Sequence, residues 1–382
     1  MKKDKYYWKF KIKKTKEKYQ EYRRYIFSTS TFFRCSLTVL ILSVFFVLFF
    51  TCGGMLYFYD VVIVDAFKGV DFQIHAISVG QGDSTLIKFP NNQTMLIDAG
   101  ERDQGEHVTN YVKAFLRQEG LDCLDFLVLT HPDSDHIGGA INVLENINVK
   151  NVFRPKVYTE EEASNLDGEN ISISTTATYH ELVDLISEKQ CDVIFTDNTI
   201  NMNLGGVRVE FLSPSEDYYS DTNEYSAVIM FTYQTKKFLF MGDANSEIEH
   251  TLIENYGDYL NADVLKVAHH GSNTSSSAEF LNVVKPKYAL LYVAGNKDLP
   301  SVDVLNRLHE IGSDLLQTSL LGDYAMTIAN DDILISQAPT PTIDIAILIS
   351  ISTLLVIATW GINNPFSQKY NPRRVPPKIL ED

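Results

Sequence analysis

Four side chains that could bind a metal ion follow one apolar stretch of the chain. Residues 126–139 read FLVLTHPDSDHIGG, in which a strand-like run ends at Thr130 and a Gly-Gly turn begins a helix. Between the two lie His131, Asp133, Asp135 and His136. Imidazole nitrogens and carboxylate oxygens are ligands of divalent cations, and a single loop can converge them on one point. A helix-capping Asp would explain one acid but neither histidine, so we predict a metal site here.

Two further strand-like runs end in residues of the same kind. Residues 237–244, KFLFMGDA, place Asp243 beside a glycine, and residues 262–272, ADVLKVAHHGS, end in His269 and His270. Strand ends of a layered sheet gather at one edge, so we expect the three clusters to meet. Asp243 taken alone fits a turn residue as well as it fits a metal ligand. Of the two histidines, we expect one to be a ligand and the other to lie outside the ligand set.

The elements that must position these side chains alternate between strands and helices. Several strand-like runs have alternating apolar residues, which predicts sheets packed against another sheet on one face and against helices on the other. Polar residues at 157–176 predict a surface insertion. We predict strands at 72–78, 84–89, 94–97, 125–130, 207–212, 227–233, 237–241, 264–267, 288–293, 324–328 and 333–335, and helices at 106–118, 139–145, 178–189, 246–256, 277–284 and 301–311. The fold class is therefore α/β, in layers.

Two upstream motifs complete a recognisable set. Residues 76–90 read AISVGQGDSTLIKFP and residues 94–100 read TMLIDAG. With the three clusters above, they resemble the metallo-β-lactamase superfamily. Within it they resemble the hydrolase domain at the C-terminus of the competence protein ComEC, whose hallmarks are a VGQGD turn, an LIDAG strand, an H-x-[HD]-x-D-H loop, a GD strand end and an HHGS strand end. All five motifs occur in order between residues 72 and 335.

The resemblance implies an αββα sandwich with a metal site at one edge of the paired sheets. His131 and Asp133 would bind the first metal, and Asp135 and His136 the second. Asp243 would bridge the two, and His269 or His270 would complete the second. The cofactor would be one or two divalent ions, zinc or manganese, which activate water for hydrolysis.

The resemblance also implies roles around the metals. Asp133, Asp135 and His136 would carry the catalysis, and Asp98 would orient the ligand loop. The VGQGD turn would line the site. The residues expected around the ligands or beside the substrate are Asp98, Gln81, Asp83, Lys266 and Ser272. Lys266 is either the nearby cation for a phosphate group or an outward-facing strand residue.

Two departures from the wider superfamily bear on the metal. Asp133 stands where the superfamily loop has its second histidine, and no clear separate histidine lies between this loop and the GD strand. His180, in a predicted helix, is a poor candidate for that ligand. A site rich in carboxylates favours manganese or magnesium more than a typical zinc site does. The first metal is therefore expected to be weakly bound or absent.

The net charge of −16 is an average over three different regions. Residues 1–34 carry an excess of nine basic charges, and the tail 363–382 an excess of two, so the region between them carries −27. Residues 35–59 and 342–362 contain the two most apolar runs. The first is longer than a bilayer core requires, and the second is near the lower length limit, with a buried helix of the domain as the alternative. Basic residues beside membrane spans stay in the cytoplasm. We therefore expect a two-pass protein of the cell membrane with both termini cytoplasmic and an extracellular hydrolase domain at 60–341.

Three functions remain open from the sequence. The first is a metal-dependent phosphodiesterase or nuclease, against which the acidic charge of the domain counts, because DNA binding requires basic residues. If DNA is cut, a partner protein is expected to deliver it. The second is hydrolysis of a small or cell-envelope phosphoester, whose substrate would carry a positive group. The third is a degenerate metal-binding domain used for sensing or interaction.

Overall fold

A computed structural model describes most of the region between the two apolar runs. The described residues are 16, 17, 20, 69–166, 171–295 and 298–337. Both predicted membrane spans and the tail 363–382 lie outside them, as does almost all of the basic segment 1–34. Within the described part of the chain, no helix is long and apolar enough to cross a membrane. The described residues from 69 onward fall within one compact unit, Tyr59–Pro339.

Strands make up most of this unit. In chain order they are β1 (Gln73–Ala76), β2 (Thr85–Lys88), β3 (Thr94–Ile97), β4 (Leu124–Val128), β5 (Val149–Arg154), β6 (Val157–Tyr158), β7 (Ser172–Ile173), β8 (Asp192–Phe195), β9 (Asn201–Leu204), β10 (Val207–Ser213), β11 (Val228–Tyr233), β12 (Lys236–Phe240), β13 (Val264–Lys266), β14 (Tyr288–Leu291), β15 (Asp314–Gln317), β16 (Tyr324–Ala329) and β17 (Asp332–Gln337).

The α-helices lie between the strands. They are α1 (Gly105–Glu119), α2 (Ser134–Ile137), α3 (Ala140–Asn146), α4 (Glu160–Ala163), α5 (Ala177–Glu188), α6 (Ser246–Tyr256), α7 (Ala278–Val284), α8 (Val302–Glu310) and α9 (Thr318–Leu321). Short 3-10 turns occur at Arg102–Gln104, Thr222–Tyr225, Gly257–Leu260 and Ala268–Gly271.

Two mixed sheets form the centre of the domain. The first has eight strands in the order β17-β16-β1-β2-β3-β4-β5-β8, and the second has seven in the order β15-β14-β13-β12-β11-β10-β9. From β3 to β8 the first sheet is parallel, and from β12 to β15 the second is parallel. Parallel strands bring their carboxyl ends to one edge. Each predicted ligand cluster follows such an end.

The packing divides the domain into four layers. On β3, Met95 and Ile97 join an aromatic-rich core shared with the second sheet, whereas Leu96 joins a core shared with α1, α3 and α5. On β12, Leu239 packs with α6, α7 and α8. Because both faces of each sheet are covered, the central strands are apolar on both sides. The order of layers is helices, sheet, sheet, helices, as the predicted αββα sandwich requires.

Several strands were not predicted from the sequence, namely β5, β6, β7, β8, β9 and β15. Three of these, β8, β9 and β15, lie at sheet edges and have mostly exposed or half-buried residues. Edge strands do not need the apolar alternation that reveals a central strand.

The described residues of the predicted surface insertion at 157–176 are mostly exposed or half-buried, and the segment has secondary structure of its own. It contains the short pair β6-β7 and the helix α4. Arg154, which is buried, donates hydrogen bonds to the Val157 carbonyl and to the Tyr179 hydroxyl. This buried cation anchors the start of the segment to the domain.

Candidate metal centre

Asp98 and Thr130 join the ends of two neighbouring parallel strands. Asp98 follows β3 in the left-handed backbone region, at φ 55°, and is fully buried. Its carboxylate accepts hydrogen bonds from the Thr130 backbone N–H at 2.8 Å and from the Thr130 hydroxyl at 2.6 Å. The first predicted ligand, His131, comes next in the chain. The end of β4 is thereby fixed before the ligand loop begins.

Three buried histidines are each held through Nδ1. His136 Nδ1 lies 2.7 Å from Asp98 Oδ2, and His270 Nδ1 lies 3.0 Å from the Tyr292 carbonyl oxygen. His131 Nδ1 lies 3.0 Å from the Thr130 hydroxyl, which already donates to Asp98 and so accepts here. These acceptors assign the ring proton to Nδ1 and leave the lone pair on Nε2.

The Nε2 atoms of the same three histidines are buried and make no hydrogen bond within the described part of the chain. Each faces carboxylate oxygens. His136 Nε2 lies 3.2 Å from Asp243 Oδ1, and His270 Nε2 lies 3.5 Å from Asp243 Oδ2. His131 Nε2 lies 3.9 Å from Asp243 Oδ2. Asp243 therefore lies among all three lone pairs.

Two more carboxylates border this cluster on its open side. Asp133 Oδ2 lies 3.7 Å from His131 Nε2, and its side chain is 41% exposed. Asp135 Oδ2 lies 3.2 Å from His270 Nε2, and its side chain is 28% exposed. Unpaired imidazole lone pairs facing carboxylates are the donor set of a divalent cation, and Nδ1 contacts of this kind orient metal-binding histidines. The residues present fit one or two such ions.

Burial and the neighbouring carboxylates shift the pKa of these histidines in opposite directions. Burial, with a smaller effect of His136, lowers the pKa of His131 to about 3. Burial alone would lower the pKa of His136 as well, but carboxylates, Asp243 foremost, raise it well above its usual value. Burial is likewise outweighed at His270, where Asp243 and other carboxylates raise the pKa to about 9. The carboxylates thus favour positive charge where the Nε2 atoms converge, whether a proton or a metal ion carries it.

The structure distinguishes the two adjacent histidines. His270 is 1% exposed and belongs to the buried cluster. The His269 side chain is 29% exposed, with Nε2 3.9 Å from Asp243 Oδ2 and Nδ1 3.3 Å from the Thr274 hydroxyl. Both residues have positive φ, 48° and 52°, a strained turn that aims neighbouring side chains in different directions. The geometry therefore favours His270 as the ligand and places His269 at the rim.

Lys266 is buried beneath the cluster. Its side chain is 2% exposed, so the interpretation as an outward-facing strand residue is wrong, and a role as the cation for a phosphate group stays a prediction. The ammonium group pairs with Asp83, donates to the Gly242 carbonyl at 2.8 Å and lies 3.7 Å from Asp243 Oδ1. Burial opposes its charge, but Asp83 and Asp243 raise the pKa of Lys266 above its usual value.

Comparison with known proteins gives the family. The sequence profile of the metallo-beta-lactamase superfamily matches residues 77–295, more than half of the chain. This chain belongs to the metallo-beta-lactamase superfamily. The superfamily consists of metal-dependent hydrolases, and every residue of the candidate centre lies within the matched part.

Curated relatives of this metallo-beta-lactamase domain include a competence protein and a recombination protein. Competence protein ComA of Neisseria gonorrhoeae is 33% identical over 248 residues, which cover 64% of this chain and 30% of ComA. Recombination protein 2 of Haemophilus influenzae is 28% identical over 273 residues, 70% of this chain and 30% of that protein. The chain thus spans about a third of the length of these relatives.

Among solved structures, the metallo-beta-lactamase fold protein YhfI from Bacillus subtilis aligns with a TM-score of 0.38 and 12% identity. The alignment covers 64% of this chain and 95% of YhfI.

The VGQGD turn packs directly against the metallo-beta-lactamase ligand loop. Gly82 has φ 134°, and a Cβ built on it would lie 2.3 Å from the Asp135 carbonyl oxygen, so only glycine fits. Both amide atoms of Gln81 are buried and have no hydrogen-bond partner among the described residues. Asp83 is buried, with Oδ1 3.4 Å from His270 Nδ1. The turn therefore forms one wall of the centre.

Two residues named from the sequence lie outside the ligand cluster. Ser272 is half-exposed, and its hydroxyl contacts the Thr274 hydroxyl at 3.0 Å. A role for Ser272 beside the substrate stays a prediction. His180 Nε2 lies 2.8 Å from the Ser174 carbonyl oxygen, which accounts for that histidine without a metal.

Sequence reasoning missed four groups that hold the centre in place. Thr130 links Asp98 to His131, and the Tyr292 carbonyl orients His270. The Ser226 hydroxyl accepts from the Asp243 backbone N–H at 2.9 Å, and Thr222 hydrogen-bonds the Asp133 side chain. Tyr292 follows the strand end of β14, so its position offered a signal. Ser226 and Thr222 lie in the loop between β10 and β11, which carries no such signal.

Proposed function

We propose that this domain is a metal-dependent phosphodiesterase, and that DNA delivered by a partner protein is its first candidate substrate. One observation carries the proposal: three buried Nε2 lone pairs, which make no hydrogen bond to any described residue, face Asp243, Asp133 and Asp135. An unfilled donor set of this kind is costly to bury unless a cation completes it. This supports a catalytic centre over a degenerate interaction domain.

One or two ions would be bound by six residues, namely His131, His136, His270, Asp133, Asp135 and Asp243. A divalent cation bound there supplies an acidified water and neutralises charge that develops on a phosphoryl group. Asp98 and the Tyr292 carbonyl hold the Nδ1 protons of His136 and His270, which keeps both Nε2 lone pairs directed inward.

Asp133 is the carboxylate best placed to meet water and substrate. Its side chain is the most exposed of the set, and burial still raises its pKa above the usual value, with Asp135 adding to the effect. The Asp133 oxygen that does not bind the metal would be positioned to accept the proton of the attacking water. The deeper residues exclude solvent, since His131, His136 and His270 are at most 1% exposed.

DNA as substrate is supported by the names of the relatives, a competence protein and a recombination protein. The charge of the domain weighs against unaided DNA binding. Two cations of the domain are already paired, Arg102 with Glu181 and Lys156 with Asp217. Paired cations are less available to displace the counterions of a nucleic acid. Delivery by a partner would remove this difficulty.

A second candidate substrate is a small or cell-envelope phosphodiester that carries a positive group, such as choline. The acidic character of residues 60–344, which carry −27, favours it. We also propose that this region is held at the outer membrane face by spans at 35–59 and 342–362, which the uncharged runs and the basic ends support.

Hydrolysis of bis-p-nitrophenyl phosphate tests the proposed chemistry. With Mn²⁺ or Zn²⁺ added, the wild-type chain should release p-nitrophenol, and Asp135→Ala or His136→Ala should lower kcat/KM by about 100-fold or more. His180→Ala is the matched control, because that histidine lies outside the centre. Absence of turnover with every divalent metal, in a folded protein, would refute the proposal.

Parallel assays on single- and double-stranded DNA at low salt separate the two substrates. Cleavage of DNA favours the first candidate. Cleavage of the ester without attack on either form of DNA favours the small phosphodiester.

A further inference from the structure

Lys266 is an unusual group to find beside a metal centre. An ammonium ion loses its hydration on burial, and that cost is met only by close polar partners. Lys266 has three such contacts: Asp83 Oδ2, the Gly242 carbonyl oxygen and, at 3.7 Å, Asp243 Oδ1. Gly242 immediately precedes Asp243, so the lysine touches the same strand end that presents the central carboxylate.

Asp83 lies where a metal ligand could lie. Its carboxylate, with His136 and His270, forms a second compact group of potential ligand atoms, in addition to the group of His131, His136 and Asp243. The imidazole nitrogens nearest Asp83 are the Nδ1 atoms of His270, at 3.4 Å, and of His136, at 3.9 Å. Those atoms already contact Tyr292 and Asp98. Asp83 therefore approaches the cluster from behind the histidines.

Lys266 limits the ability of Asp83 to bind a metal ion. The ammonium group lies against Oδ2 of Asp83, so the pair is neutral overall and that oxygen is occupied. A cation that used Asp83 would have to displace Lys266 or overcome its repulsion. The same positive charge lies close to Asp243 Oδ1, which weakens the attraction of that oxygen for a divalent ion.

We propose that Lys266 is a fixed counter-cation of the metal centre that keeps Asp83 out of metal coordination and limits how tightly the centre binds divalent ions. The proposal rests on the metal-binding role of the cluster under the proposed function. It assigns Lys266 as a positioning residue, because it acts through Asp83 and Asp243 and contacts no substrate.

The charges predict that the two single substitutions change the affinity for Mn²⁺ in opposite directions. Lys266→Met removes the cation and frees Asp83, so the affinity for Mn²⁺ should rise about tenfold, with up to one additional ion bound per chain. Asp83→Asn leaves Lys266 beside Asp243, so the affinity should fall by about the same factor. In the double variant Lys266→Met/Asp83→Asn the two changes cancel, and the affinity should return to within about threefold of wild type.

A purely structural role predicts a different pattern. If Lys266 and Asp83 only hold the loops together, both single variants bind Mn²⁺ more weakly than wild type and the double variant does not recover. The direction of the Lys266→Met effect thus separates the two explanations.

The test is equilibrium dialysis of the full chain, purified in detergent, against Mn²⁺, with bound metal measured by mass spectrometry. Lys150→Met is the matched control, since it removes a 53% exposed lysine from an ion pair with Asp125 outside the centre and should change nothing. Tighter binding by Lys266→Met, weaker binding by Asp83→Asn and recovery in the double variant support the proposal. Weaker binding by both Lys266→Met and the double variant would overturn it.

Two variants keep the test decisive if Lys266→Met does not fold. Lys266→Arg retains the cation and should bind Mn²⁺ as wild type does, and the neutral double variant avoids an unpaired buried charge. A tenfold loss in the folded double variant would reject the proposal. Because dialysis needs no turnover, a chain that shows this pattern but cleaves no phosphodiester would refute the proposed function alone.

Discussion

Asp98 shows how one residue organises several others in this centre. Its carboxylate accepts three hydrogen bonds, from the Thr130 N–H, the Thr130 hydroxyl and His136 Nδ1. Through the Thr130 hydroxyl it also fixes His131. A carboxylate behind a metal-binding imidazole fixes the ring orientation and raises its basicity. Asp98 thus orients two of the three histidine rings so that their Nε2 lone pairs face the cluster.

Substitution of Asp98 by Asn should weaken metal binding by about 10- to 100-fold, because the amide cannot accept all three hydrogen bonds. Equilibrium dialysis against Zn²⁺ or Mn²⁺ measures the change. Asp125→Asn is a suitable control, since Asp125 is also buried and hydrogen-bonded, to the Thr94 N–H, but at the opposite end of β4. Equal affinities of Asp98→Asn and wild type would show that the His136 contact is not a metal-orienting one.

The two adjacent histidines should respond differently to replacement. His270→Ala removes a buried Nε2 from the cluster, so it should lower metal affinity and phosphodiester turnover by at least about tenfold more than His269→Ala. Both variants leave the other histidine in place, so each serves as the control for the other. A larger effect at His269 would mean that the strained turn presents the opposite ring.

At the level of secondary structure, the sequence revealed the strands that carry the chemistry. β4, β12 and β13 are central, apolar on both faces and end abruptly in polar residues, a pattern that marks both the strand and its functional end. The contacts of the ligands were less predictable. The burial of Lys266 depends on which loop covers it, and Asp83 comes from a turn far away in sequence. The choice of His270 over His269 depends on backbone angles that no residue pattern encodes.

A buried histidine on β1 should make the domain sensitive to acid. Burial, with a contribution from Lys88, lowers the pKa of His75 to about 3, from 6.5 in the unfolded chain. The folded state therefore binds fewer protons, and its stability is fully present above pH 6.5 and lost as the pH falls toward 3. His75 should contribute a loss of up to about 1.4 kcal/mol per pH unit in this window.

Denaturant unfolding of the metal-free chain between pH 7 and pH 4 measures this effect. His75→Gln, which keeps polar atoms near Tyr111 and Gln73, should lose less free energy of unfolding on acidification than wild type does. His250→Gln is the control, since the His250 side chain is 62% exposed. Parallel pH dependence of His75→Gln and wild type would assign the acid sensitivity elsewhere.

At the level of the whole molecule, the distribution of charge is the feature that bears on biology. The basic excess lies in segments 1–34 and 363–382, and the region between the apolar runs is strongly acidic. Under the proposed function, a DNA substrate would therefore need a partner protein to hold it, and the alternative substrate is a different phosphodiester. The same charge distribution predicts which parts of the chain face the cytoplasm.

Protease added to intact cells tests that topology. We expect the region 60–341 to be digested while a tag on either terminus stays protected until the cells are permeabilised. A cytoplasmic protein probed in the same cells provides the control for lysis. Protection of the domain in intact cells would contradict the proposed orientation, although it would leave the metal chemistry untouched.

The central claim is that the buried histidines and aspartates form a metal site, and anomalous X-ray diffraction tests it most directly. Crystals of the domain-bearing chain grown with Mn²⁺ or Zn²⁺ should show one or two anomalous peaks bounded by the Nε2 atoms of His131, His136 and His270 and by the carboxylate of Asp243. A fully formed fold with no peak at these atoms, in the presence of saturating metal, would contradict the account.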